Sequence, residues 1–343
     1  MRLLFVSTYP HLPDIIGGLQ TTTHDLCLAL QDIGASVAVL CGLTERLADG
    51  NHLLPQRDET LGYTVIRVPD PNRALAMVAA SWEPTAIIVQ SGTALLPTVI
   101  AALETGRATA VYLHNVEVHQ LAGTLYPDPA LLYFSNSQFT ADRWRALCGI
   151  DSAVVPPIVA PERYLVAEIG EKILFVNPTP IKGLEIMFGL AAACPDLPFL
   201  VAESWHLEPR WRALCKRRAE ALGNITWVTP TRDMRTLYSQ ARVLLMPSVW
   251  EEAFGRTVIE AQLNGIPVLA SDRGALPETV GDGGILVDAH APILVWEAAL
   301  RHLYGTDHAD RSASARQKAF AATAATPLIA GDFLYRLASH AER

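Results

Sequence analysis

Apolar and polar positions follow two rhythms along this chain. Short apolar runs at residues 3–7, 36–41, 65–68, 86–90, 108–114 and 132–136 predict buried strands. Between them apolar positions recur at helical spacing, as at 23–33 and 94–105. Strands alternating with helices imply parallel sheets covered on both faces. The rhythm breaks at Val154-Val155-Pro156-Pro157-Ile158-Val159-Ala160-Pro161, and a second alternating series starts at Lys172-Ile173-Leu174-Phe175-Val176. Two doubly wound α/β domains are therefore expected, over residues 1–160 and 161–311, with closing helices over 312–343. In such sheets ligands gather at the carboxyl ends of the strands.

Chemistry concentrates in the second series. Arg242-Val243-Leu244-Leu245-Met246-Pro247-Ser248 reads as a short buried strand ended by turn residues. Val258-Ile259-Glu260-Ala261-Gln262-Leu263 reads as a helix stopped by Asn264-Gly265 and Pro267. Glu252 then sits in the loop at the strand's carboxyl end, and Glu260 on the second turn of the helix. The first free N–H groups of that helix come from about Phe254 to Thr257. Unpaired N–H groups and the helix dipole favour an anion there, and a carboxylate at each edge accepts hydrogen bonds from hydroxyls. A polyol joined to a phosphate fits that arrangement, as in a sugar nucleotide.

The run Glu252-Ala253-Phe254-Gly255-Arg256-Thr257-Val258-Ile259-Glu260-Ala261 resembles the Glu-x7-Glu motif of retaining glycosyltransferases of the family 4 type. The resemblance continues through Gly265-Ile266-Pro267-Val268, Gly274-Ala275-Leu276-Pro277-Glu278 and Gly281-Asp282-Gly283-Gly284. Two Glu at this spacing alone would be a weak signal; the ordered series is a strong one. It implies the GT-B fold, two Rossmann-like domains facing across a cleft, with a closing helix packed back on the first domain. The first domain would serve the acceptor and the second the nucleotide-sugar donor.

The family's roles carry over residue by residue. Glu252 would contact the sugar hydroxyls and the pyrophosphate region, and Glu260 the ribose hydroxyls. Ala253, Phe254, Gly255, Arg256 and Thr257 would line the donor. Phe175-Val176-Asn177-Pro178-Thr179-Pro180-Ile181-Lys182-Gly183 matches the family's loop ending in Lys-Gly, which would set Lys182 on the diphosphate as the leaving group departs. That loop usually carries Arg where Asn177 stands, and Asn supplies no charge. Arg256 and Arg232 are the candidate replacements. Backbone groups around Val228 would pair with the base, whereas Trp227 reads as core. In the first domain, Gly17-Gly18 would close over the diphosphate or beside the acceptor, using glycine's close approach. His114, at a strand end before Asn115, would approach the donor sugar. Phe134-Ser135-Asn136-Ser137 reads as a strand end with a helix cap at Ser137 or Thr140.

Composition sets limits on partners and place. Half of the residues are hydrophobic and 18% charged, enough for large cores and against disorder. Five cysteines, odd in number and without a Cys-x-x-Cys pair, read as free thiols in a reducing cytoplasm. No apolar stretch approaches the roughly 18 residues of a membrane span. Net charge is -8, and residues 1–160 hold eight Arg, no Lys and fourteen carboxylates. No basic stripe for nucleic acid or strong electrostatic membrane binding is visible. No Asp-x-Asp metal motif lies near a suitable strand end, and His114, Glu117 and His119 match no standard ligand spacing. The expected activity is thus metal-independent, with no cofactor beyond the UDP- or GDP-linked sugar substrate. The acceptor would be a small molecule, glycan or glycolipid, met by loops such as 43–60 and 119–129. The rival readings are a sugar-nucleotide 2-epimerase-like isomerase and a non-catalytic nucleotide-sugar-binding protein.

Overall fold

The computed structural model describes residues 1–44, 55–204 and 207–342. It divides into two compact units: Met1–Ile158 with the segment from Ala325 onward, and Val159–Ala324. The break between Ile158 and Val159 falls inside the proline-rich stretch where periodicity stops.

In the first unit, β1 (Arg2–Val6), β2 (Ser36–Gly42), β3 (Gln56–Asp58), β4 (Thr64–Val68), β5 (Ala86–Gln90), β6 (Ala108–Leu113), β7 (Leu131–Ser135) and β8 (Ala153–Val154) form one sheet in the order β3-β4-β2-β1-β5-β6-β7-β8. Helices α1 (Gly18–Asp32), α2 (Pro71–Trp82), α3 (Leu95–Leu103) and α4 (Gln138–Cys148) lie between the strands in the chain. Alternate residues of β1 enter different cores. Leu3 and Phe5 join a cluster with α1, while Leu4 and Val6 join one with α2, α3 and α4. Burial on both faces explains why this strand reads as an unbroken apolar run.

The sheet departs from the expectation of purely parallel strands. β3 pairs antiparallel with β4 at the edge, and β8 adds two residues at the other end. Gln56-Arg57-Asp58 carries no apolar signal because an edge strand can stay polar and exposed. Asp70 caps helix α2 through the N–H groups of Asn72 and Arg73, with Pro71 in the first turn.

The second unit holds β9 (Lys172–Val176), β10 (Phe199–Ala202), β11 (Ile225–Val228), β12 (Ala241–Met246), β13 (Val268–Ser271) and β14 (Gly284–Val287), all parallel, in the order β11-β10-β9-β12-β13-β14. Its helices are α5 (Leu184–Ala193), α6 (Pro209–Leu222), α7 (Arg235–Tyr238), α8 (Arg256–Leu263), α9 (Leu276–Val280), α10 (Ile293–Tyr304) and α11 (His308–Ala324). The chain builds outward from β9 to β11, then returns to β12 and builds the other way. The loops after β9 and β12 therefore leave in opposite directions, which opens a crevice between them.

The closing segment divides differently from the expected block over 312–343. Helix α11 belongs to the second unit, and only α12 (Thr326–Ala341) belongs to the first. Side-chain size explains the split. Ala315 and Ala319 are fully buried, and a Cβ at Gly283 would come within 2.8 Å of the Ala315 backbone. On α12, Phe333 fills the first unit's core, with ring centroids 4.5 Å from Phe134, 6.1 Å from Tyr112 and 6.3 Å from Phe5.

Phe333→Ala is expected to cost about 3–5 kcal/mol in chemical denaturation, as large core truncations do. Leu328→Ala, at an exposed position of the same helix, should cost less than about 0.5 kcal/mol. Equal effects would contradict this docking of α12.

Candidate functional site

At the second unit's switch point the loops after β9 and β12 interlock. Asn177, directly after β9, adopts the left-handed conformation with φ 68°, which Asn tolerates better than most residues. Its buried Oδ1 and the Thr179 hydroxyl find no hydrogen-bond partner among the described residues. A 3-10 turn, Pro180–Lys182, follows and ends on Gly183 at φ 82°. A Cβ at 183 would lie 1.9 Å from the Pro247 carbonyl oxygen, so only glycine allows the loops to meet this closely. The Ile181 carbonyl then accepts from the N–H groups of Val249 and Trp250 at 3.1 and 3.2 Å.

The meeting of the loops brings Lys182 to Glu252. Its ammonium Nζ lies 2.6 Å from Glu252 Oε1, with the side chains 18% and 10% exposed. Ser248, at the end of the β12 run, donates its hydroxyl to the same oxygen. The Glu252 backbone is fixed from behind: its carbonyl accepts from Ala275 N–H at 2.7 Å, and Gly274 packs so close that a Cβ there would meet that carbonyl at 2.3 Å. The Phe254 carbonyl accepts the Thr279 hydroxyl at 2.6 Å. Gly255 begins α8 in the left-handed region, and no side chain caps the helix. Lys182, Glu252 and the start of α8 thus come together.

Glu260 is buried one turn further along, and both its oxygens are engaged. Arg256 Nε donates to Oε1 at 2.9 Å, and the Tyr238 hydroxyl donates to Oε2 at 2.8 Å. Arg256 is itself buried rather than facing solvent, and its Nη2 donates to Tyr164 Oη at 3.3 Å. Burial first, and the Glu260 charge second, push the Tyr238 phenol well above its ordinary value; the same causes raise Tyr164 to about 12. Both phenols stay protonated. Arg232 is exposed and Thr257 half-buried, its hydroxyl on Met246 Sδ at 3.3 Å. The Val228 carbonyl accepts Glu203 N–H at 3.1 Å, and Trp227 Nε1 donates to Glu203 Oε1 at 2.7 Å.

The first unit holds a neutral polar cluster at the ends of β5 and β6. His114 is buried, with Gln90 Nε2 3.3 Å from its Nε2 and the Tyr112 ring 4.0 Å from its own. Its backbone is held by the Ser91 hydroxyl at 3.2 Å and Asn136 Nδ2 at 3.1 Å. Burial lowers the imidazole to about 3, so it is neutral at physiological pH. Gly17 sits at the start of α1, and a Cβ at Gly18 would meet nothing within 4 Å. The preceding loop is anchored by Arg67, which donates to Leu12 O at 2.7 Å and Asp14 Oδ2 at 2.8 Å. Ser137 caps α4 by accepting from Thr140 N–H. Of the loops expected to meet an acceptor, residues 45–54 of the stretch 43–60 lie outside the described residues.

Sequence reading missed Ser248, Tyr238, Tyr164 and Gln90. Ser248 is adjacent to the motif and could have been found. The other three lie 22 or more positions from the residues they serve, and nothing local marks them. Among the described residues no three His, Cys, Asp or Glu side chains gather as a metal-binding group, and no helix is long and apolar enough to cross a membrane.

Two family models match. Residues 16–163 match Glycosyltransferase Family 4, and residues 199–304 match Glycosyl transferases group 1. The D-inositol 3-phosphate glycosyltransferase of Corynebacterium glutamicum is 35% identical over 141 residues, 39% of this chain and 30% of that protein. The Corynebacterium kroppenstedtii protein of the same name is 42% identical over 80 residues, 23% of this chain and 17% of that protein. The chain thus spans less than a third of the length of these relatives. Sucrose-phosphate synthase from Thermosynechococcus elongatus superposes with a TM-score of 0.78 at 18% identity, covering 99% of this chain and 100% of that one. Anabaena Alr3699/HepE in complex with UDP-glucose also gives 0.78 at 18% identity, covering 98% and 100%.

The burial of His114 has a consequence for stability. Its folded value near 3 lies below the ordinary 6.5, so below pH 6.5 the unfolded chain binds a proton that the folded chain refuses. Its contribution is complete above pH 6.5 and is lost as pH falls towards 3, by about 2 kcal/mol at pH 5. His11 is also lowered to about 3, chiefly by burial, so the test compares wild type with His114→Gln. Their stability difference should shrink by up to about 2 kcal/mol between pH 7 and 5; parallel curves would contradict the buried neutral imidazole.

Proposed function

Since the chain belongs to the family 4-like glycosyltransferases of GT-B fold, we propose that it moves a sugar from a nucleoside-diphosphate donor to a hydroxyl-bearing acceptor, with retention at the anomeric carbon. The observation that carries this reading is the gathering of Lys182, Glu252 and the start of α8 at one switch point. Lys182 keeps its contact with Glu252 while another N–H of its ammonium meets the donor diphosphate, and the N–H groups of α8 meet the same charge. Glu252 then serves the sugar hydroxyls, and Glu260 the ribose. His114 orients the sugar as a neutral imidazole.

The bond from the anomeric carbon to the phosphate oxygen breaks through an oxocarbenium-like transition state. The acceptor oxygen bonds to the same face of that carbon, and its proton goes to the departing phosphate. No divalent ion enters this scheme. HepE holds UDP-glucose, which makes a UDP-linked sugar the first donor to try and a GDP-linked sugar the second. The acceptor is a small molecule, glycan or glycolipid. Free cysteines at all five positions suit the cytoplasm. The non-catalytic reading rests on Asn177 alone, which supplies no charge, and the epimerase reading has no observation of its own; both matched models carry glycosyltransferase descriptions.

Donor hydrolysis with UDP-glucose and GDP-mannose tests the scheme. Lys182→Ala should lower turnover about 100-fold or more while leaving the circular dichroism unchanged, the usual scale for losing one fixed charge at a leaving group. Wild-type turnover should survive EDTA. A near-normal Lys182→Ala rate would remove the site, and loss on chelation with recovery in magnesium or manganese would remove the metal-free scheme.

A further inference from the structure

The residue from which sequence suggested a second phosphate cation is committed elsewhere. Arg256 and Glu260 are four residues apart on one helix face, each with a side chain 7% exposed, and their ion pair is 2.9 Å. Tyr238 reaches the other carboxylate oxygen from α7 at 2.8 Å. Arg256 is braced in turn by Tyr164, whose hydroxyl lies 3.3 Å from Nη2 and whose ring centroid is 5.8 Å from the guanidinium. Asn264 holds the Tyr164 carbonyl at 3.0 Å. Each Glu260 oxygen therefore receives one donor, and the two donors come from different elements.

A carboxylate's last torsion is broad and roughly two-fold, so one anchored oxygen would leave its plane loose. Two anchored oxygens fix it. A carboxylate offers about four lone-pair sites, so these two bonds leave further capacity on both oxygens. Two hydroxyls on adjacent ring carbons, as on a ribose, present donors at a spacing that suits this pair.

Resting on the reading of Glu260 as the ribose-binding carboxylate, we propose that Tyr238 and Arg256 are positioning residues that fix the plane of Glu260 for the vicinal diol of the nucleotide. Arg256 in this role supplies orientation rather than charge to the diphosphate.

The test compares binding of UDP with that of 2′,3′-dideoxyuridine 5′-diphosphate by calorimetry, and likewise for the guanosine pair. Hydrogen bonds to a charged group set the expected scale. Wild type should prefer the ribose form by about tenfold or more. Tyr238→Phe and Arg256→Lys should each bring that preference below about threefold, by weakening the ribose form while leaving the dideoxy form unchanged. Tyr238→Phe removes a single oxygen and keeps the test available should Arg256→Lys fail to fold. Variants that keep the wild-type preference would overturn this inference alone. A wild type that binds neither UDP nor GDP, or binds the dideoxy forms equally well, would overturn the ribose reading beneath it as well.

Discussion

The candidate site of the second unit depends on one constraint: the loops after β9 and β12 must touch. Two glycines make that possible. Gly183 lets one loop rest on the Pro247 carbonyl, and Gly274 lets the next segment rest on the back of Glu252. Added side chains would force these backbones apart and disturb the meeting of Lys182 with Glu252. The Lys182–Glu252 pair is not the source of the unit's stability, because a part-buried ion pair spends most of its attraction on desolvation. Cores on both faces of the sheet supply that stability, and the pair exploits the rigid meeting they provide.

The two candidate clusters, one in each unit, handle polarity in opposite ways. Around His114 the buried groups are uncharged: Ser7, Thr23, Gln90, Ser91 and Asn136, with the imidazole held neutral by burial. In the second unit Glu252, Arg256 and Glu260 are buried and paired. A charge-rich site suits a diphosphate leaving group, since fixed charges act most strongly where water is scarce. A neutral imidazole suits a sugar hydroxyl, to which it can donate or from which it can accept.

Much of this was legible in the sequence, for identifiable reasons. Strands buried on both faces read as apolar runs, so six of the first unit's strands, and β9 and β12 of the second, could be seen. Glu252, Lys182 and Gly183 were legible because each sits in a short motif of its own, although the contact between Lys182 and Glu252 spans 70 positions. Three things were not. The edge strand Gln56–Asp58 is polar, and no apolar run marks it. The division of the closing helices rests on which small residues face α8, which helical periodicity does not encode. The partnership of Arg256 with Glu260 depends on Tyr238 and Tyr164, which lie 22 and 96 positions from Glu260. From sequence Arg256 was only a cation near a phosphate site; burial and its partners give it a direction.

The claim at the centre of this account is that Lys182 and Glu252 act as one unit. A double-mutant cycle on donor hydrolysis tests it directly, using Lys182→Ala, Glu252→Gln and the double variant. Residues that act as a unit are strongly non-additive. The double variant should therefore be about as slow as the slower single variant, a coupling of at least ~1.4 kcal/mol or tenfold. Rate losses that simply multiply would contradict the account, showing that the contact seen between the two side chains does not carry into the reaction.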